Sequence, residues 1–191
     1  MMRAAIPAVA CLLLSSCVPW TVRPIESADS GPFDANRYVE SVWNSKVLPA
    51  VSAQAVDVSE MRKAPAGARL VKGEGRILRV DTSSRTGLML IDLPPYDGRA
   101  DVAVQIGPVV RGTALRDALP FIQFSQFVNQ LEFARVGNAL NDRVLKDVLA
   151  SLPKEGLAGS VVQFTGASAA PAGDALPEIV PVTLVVRRPG A

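Results

Sequence analysis

Apolar positions recur with helical spacing in two long stretches of the chain and alternate, or run together, in five short ones. Tyr38, Val39, Val42, Trp43 and Val47 share one face of a helix that Phe33-Asp34 opens, with Asp34 placed as its N-cap. Pro49 lacks an N–H and crowds the preceding turn, so it ends or interrupts that helix. A second, short helix is predicted near Val58 to Lys63, before Pro65-Ala66-Gly67. The period then changes. Gly75–Val80, Gly87–Leu93 and Asp101–Ile106 are β-branched or alternating runs, separated by the turn-forming stretches Asp81–Ser84 and Pro94–Gly98. From about Ser125 to Leu152 the helical period returns, carried by Phe127, Leu131, Ala134, Val136, Leu140, Val144, Val148 and Leu149, until Pro153 and Gly156 stop it. Ser160–Gly166 and Ile179–Arg187 complete the strands.

Three strands, a long helix and two strands are the element order of an OB-fold, in which the helix follows the third strand. Gly75 and Gly166 suit the tight bends of such a structure. The expected class is therefore α+β: a small five-stranded OB-like β-barrel, with the long helix between strands 3 and 4 and the N-terminal helix packed on it. A plain α+β domain with a curved antiparallel sheet is the alternative.

The first residues do not belong to this pattern. Arg3 precedes an apolar stretch, Ala4–Leu14, that is too short to span a bilayer, and Leu14-Ser15-Ser16-Cys17 follows it. Small residues before a cysteine at the end of such a stretch resemble a bacterial lipobox. Residues 1–16 are then a lipoprotein signal peptide, and Cys17 becomes the acylated, palmitate-bearing N-terminus of the mature chain. Each buried methylene contributes about 0.8 kcal/mol to such an anchor. An ordinary secretory signal with an incidental cysteine is the rival reading. Val18, not aspartate, follows Cys17, which favours the outer over the inner membrane. Residues 17–32, with three prolines plus Ser and Gly, read as a flexible linker, and 33–191 as a single globular domain.

Composition narrows the chemistry. The chain has two cysteines and no histidine. With Cys11 removed and Cys17 acylated, no Ser/His or Cys/His pair and no His/Cys zinc site can be assembled. No acidic run has calcium-loop spacing, so neither metal nor cofactor is expected. Asp92, Asp97, Asp101 and Asp117 are loose carboxylates that nothing local holds at glycosidase separation. The expectation is a protein that is not an enzyme. A net charge of +2 is no nucleic-acid footprint.

Val104–Phe124, VQIGPVVRGTALRDALPFIQF, is the most residue-specific stretch. Gly107-Pro108 ends a ladder, and Gly112 admits a backbone angle that side chains resist. Arg111, Arg116 and Asp117 are candidate contacts for a ligand or partner, because guanidinium forks suit carboxylates, phosphates and sugar hydroxyls. Equally, Arg116 can pair with Asp117 or Glu132 while Arg111 braces the loop. Asn129 and Gln130 complete the candidates as polar clips to the 107–112 backbone; Asn141-Asp142 offers acceptors or a sugar contact. Phe121, Phe124, Phe127 and Phe133 read as core more simply than as a sugar platform.

These segments, with Phe33-Asp34-Ala35, Gly73-Glu74-Gly75 and FVNQLEFARVGNALN, resemble a family of predicted periplasmic lipoproteins of unknown function. The resemblance covers nearly the whole mature chain and implies an accessory role beside ribose-type sugar ABC importers, with the permease or its binding protein as partners. It carries no catalytic residues. A small-molecule (sugar or anion) binding module using the 107–117 loop is the alternative function.

Overall fold

Asp34 initiates the first helix through two local bonds: its carboxylate accepts from the Asn36 N–H at 2.9 Å and the Arg37 N–H at 3.1 Å. In this computed structural model, which describes residues 32–63, 65–153, 155–171 and 173–188, α1 (Ala35–Val42) passes through a widened π turn (Trp43–Val47) into α2 (Leu48–Gln54). Pro49 does not end the helix. It lies in the first turn of α2, and the π turn before it moves the carbonyl that its ring would otherwise strike. Asp34→Ala should remove the cap and lower stability by about 1 kcal/mol, measurable as a fall in the thermal unfolding midpoint. The expected signal segment, Cys17 and the linker up to Gly31 lie outside the described residues.

The chain then forms β1 (Val56–Asp57), a 3-10 turn (Val58–Lys63), β2 (Ala68–Asp81), β3 (Leu88–Asp92) and β4 (Val102–Gln105). A single-turn helix α3 (Ala114–Asp117) and a 3-10 turn (Phe124–Gln126) lead to α4 (Gln130–Val144), which runs on into a π turn (Leu145–Leu149). β5 (Val161–Ala169) and β6 (Glu178–Arg187) follow. β2 begins seven residues before its predicted start, because Gly73 and Gly75 interrupt the apolar pattern while pairing with β5 continues from Ala68 to Arg76. The Phe164 ring lies over Gly73 and fills the space a side chain would take. The long helix begins at Gln130 rather than Ser125: Phe127 and Asn129 are extended, and the Asn129 side chain accepts from the Glu132 N–H at 2.9 Å to cap it.

Among the described residues the strands make one six-stranded sheet ordered β1-β2-β3-β4-β6-β5, and β2 also pairs with β5. Five strands thus close into a ring, and α4 connects β4 to β5, as the element order predicted. Only β1, a two-residue parallel addition to β2, lies outside the expected set. β4 and β6 close the ring through a short parallel contact, Ala103↔Glu178 and Val104↔Ile179.

Alternating side chains divide the core into two clusters. Val71, Ile77, Met89, Ile91, Val104, Val162 and Phe164 pack inside the ring. Leu70, Ala167, Val180 and Val182 point outward, where the helices cover them with Val39, Trp43, Val47, Leu115, Val136 and Leu140. Phe33–Ala191 forms one compact unit. No described helix is long and apolar enough to cross a membrane.

Candidate binding cleft

The loop after β4 is shaped by close contact with the turn before β3. The Gly107 N–H donates to Thr86 O at 2.6 Å and the Ile106 N–H to Gly87 O at 3.0 Å. A Cβ on Gly107 would stand 2.4 Å from Arg85 O, so only glycine fits there. Gly112 has φ +88°, the left-handed region that favours glycine.

Two buried amides hold this loop from opposite sides. Gln105, at the end of β4, accepts from the Arg111 N–H at 2.8 Å and donates Nε2–H to Arg111 O at 3.3 Å and to Glu178 Oε2 at 3.2 Å. Asn141, on α4, donates Nδ2–H to Gly112 O at 3.0 Å and Val110 O at 3.5 Å. The clips are therefore Gln105 and Asn141, not Asn129 and Gln130. Asn129 is the α4 N-cap, and Gln130 is exposed and makes no side-chain hydrogen bond among the described residues. Asn141 acts as a donor, not the acceptor its neighbourhood suggested. Both real clips carried a signal, since each is an amide within an apolar stripe: Gln105 between Val104 and Ile106, Asn141 beside Leu140 and Val144.

Arg116 is consumed internally. Its Nε–H donates to Asp117 Oδ1 at 2.8 Å, Nη2 is 2.7 Å from the same oxygen, and Nη1–H reaches Phe133 O at 3.3 Å. The guanidinium lies 3.8 Å from the Phe133 ring centroid, a cation–π contact that fastens α3 to α4. The other carboxylate oxygen of Asp117 accepts from the Thr113 hydroxyl at 2.6 Å. Asp117 is thus fully engaged, as the pairing alternative required.

Arg111 differs. Its side chain is exposed and makes no ion pair or hydrogen bond among the described residues, while its backbone is pinned on both the N–H and the C=O. It stands at an open cleft of about 780 Å³ whose walls include Gln105, Thr113, Asp117, Glu178, Val180 and the Ala169–Pro171 segment. Glu178 uses Oε2 for Gln105 and has no partner on Oε1 among the described residues. The Arg111 guanidinium and the free Glu178 oxygen line the same cleft, where they can donate to and accept from hydroxyls, or the guanidinium can grip an anion. Among the described residues no group of three His, Cys, Asp or Glu side chains is disposed to hold a metal ion.

A five-strand ring with a helix between its third and fourth strands is the OB-fold. The structure is similar to a crystal structure of an OB-fold protein (TM0957) from Thermotoga maritima MSB8, with 18% sequence identity, coverage of 82% of this chain and 100% of that chain, and a TM-score of 0.65. At that identity the likeness shows the fold alone. The chain belongs to the family described as "Predicted periplasmic lipoprotein (DUF2291)", whose model matches residues 7–69 and 67–185. It is a lipoprotein of the cell envelope that faces the periplasm. No curated protein matches it.

Proposed function

We propose that this lipoprotein is a non-enzymatic accessory component of carbohydrate ABC import, and that its working surface is the cleft around Arg111. Cys17 carries the anchor, and Val18 after it directs the protein to the outer membrane. From there it meets the importer's binding protein, or a sugar on its way to the permease. A tether raises local concentration near the membrane without any new contact.

One observation carries the reading. Arg111 is an uncommitted cation in a loop that two buried amides fasten, Gln105 at Arg111 itself and Asn141 at Val110 and Gly112, and it shares its cleft with Glu178, an acid with a spare oxygen. Structural arginines are spent on partners, as Arg116 is; Arg111 is positioned and left open. A backbone that is already fixed need not be ordered on binding, which suits recognition of a small polar ligand.

Thermal-shift titration of the purified protein with ribose, other aldoses and sugar acids tests this. At least one should stabilise it. Arg111→Ala should weaken that ligand by about 1.5–3 kcal/mol, roughly ten- to a hundredfold in Kd. The unliganded midpoint should not move, because the side chain supports nothing in the fold. No stabilisation by any of these ligands, together with no importer protein retained from solubilised membranes, would remove the proposal.

A further inference from the structure

Between Asp117 and Glu132 the chain carries no charged residue: positions 118–131 read ALPFIQFSQFVNQL. This segment buries Leu119 and Ile122 but leaves three large apolar side chains outside. Val128 is 87% exposed, Leu131 59% and Phe124 48%. Phe124 lies on the 3-10 turn, Val128 in the bend after it and Leu131 on the first turn of α4, and the polar residues among them, Gln123, Ser125, Gln126, Asn129 and Gln130, are all neutral. Such a patch on a soluble domain marks a docking surface.

The patch is continuous with the place where the mature chain enters the domain. The Phe33 and Phe127 ring centroids are 5.5 Å apart, Tyr38 and Phe127 5.6 Å, and Phe127 and Phe133 5.6 Å, with Phe124 on Phe133 at 5.6 Å. Phe33 is the first residue after the sixteen that begin at the acylated Cys17. Those residues reach at most about 55 Å when fully extended, at about 3.4 Å each. The end of the domain that is covalently nearest the anchor is therefore the one that presents bare Val128, Leu131 and Phe124.

We infer that the domain lies on the bilayer through this patch, with Phe124, Val128 and Leu131 in the interfacial layer. A segment without charge can enter that layer without stripping water from an ion, and aromatic and amide groups suit a surface that is half wet. Glu132, the nearest acid, is already committed to the Val128 N–H at 3.1 Å, and the exposed Arg135 one turn of α4 further on suits anionic headgroups. The surface is a lipid face, and it rests on the anchored-lipoprotein reading but not on the sugar reading.

The mature chain has no cysteine besides the acylated Cys17, so Val128→Cys provides a single thiol for an environment-sensitive fluorophore. The lipidated full chain would be placed in vesicles of phosphatidylethanolamine and phosphatidylglycerol, with and without lipids carrying a nitroxide on the acyl chain. The label at 128 should shift to the blue and lose its emission to the nitroxide. A label at Val185→Cys, an exposed apolar position on β6, should do neither. Adding Leu131→Asp should abolish the response at 128 while leaving the unfolding midpoint in place, since Leu131 is largely exposed. Equal, aqueous emission at 128 and 185 overturns the inference. So does protection at 128 that vanishes on dilution of protein among lipids, which would mean a second copy, or protection that arises only with native membrane proteins present. Release of a Cys17→Ser variant from membranes checks the anchor separately, so that failure of the anchor and failure of the docking face are told apart.

Discussion

Gly166→Ala should destabilise the protein by about 3 kcal/mol or more, seen as a fall of roughly 6–12 °C in the unfolding midpoint. The β5–β6 ladder passes from Thr165↔Thr183 to Gly166↔Pro181, so Val182 is an extra residue on β6 and the strand bulges there. The bulge reverses which side chains face inward: Val180 and Val182 pack under the helices, whereas Leu184 and Val186 pack against the ring interior. Pro181, without an N–H, is tolerated in mid-strand because the ladder is already broken. A Cβ on Gly166 would meet Val180 O at 2.2 Å and Pro181 Cα at 3.0 Å. Both obstacles are backbone within the bulge, and neither can step aside without unpairing the ring. Gln130→Ala, at an exposed helical position, should change the midpoint by no more than about 0.5 kcal/mol of stability and serves as the comparison.

Gln105→Leu should be the second most damaging change, and the one that links stability to the cleft. Leucine fills the volume but leaves the Arg111 N–H, Arg111 O and a Glu178 oxygen without their partner. Each buried orphan costs about 1–3 kcal/mol, reduced where the loop can open to water, so a net loss of about 2–3 kcal/mol is expected. Hydrogen exchange at the Arg111 amide should accelerate more than exchange in β2 or β5, because the 106–112 loop is released before the ring opens. Ligand affinity should fall even where the fold survives, since Arg111 loses its mounting. Arg111→Ala alone should lower affinity without moving the midpoint, and the contrast separates the gripping group from the clamp behind it.

The ring was legible because its signals are local. Alternation in Gly87–Leu93 and Asp101–Ile106, the helical stripe to Val148, and Gly166 as a bend each depend on near neighbours in sequence. The missed features depend on distant ones. β2 starts early because Phe164, some ninety positions on, covers Gly73. The helix start moved because Asn129 spends its side chain on the Glu132 N–H, which periodicity does not register. Among the site residues, the pairing of Arg116 with Asp117 was visible as one of two readings, whereas the clamp needed Gln105, Asn141 and Glu178 to come together from β4, α4 and β6. An amide inside an apolar run is the trace such a clamp leaves in sequence. It tells that a buried bond must exist, not which backbone receives it.

Uptake of labelled ribose by intact cells tests the central claim most directly. Cells carrying Arg111→Ala in place of the native chain would be compared with native cells and with cells lacking the gene, at matched amounts of protein in the membrane. The prediction is that uptake in the Arg111→Ala cells falls to the level of the deletion while the protein remains folded and anchored. Uptake in the deletion strain equal to that of native cells would contradict the importer role, and undiminished uptake with Arg111→Ala would contradict the cleft as its working surface.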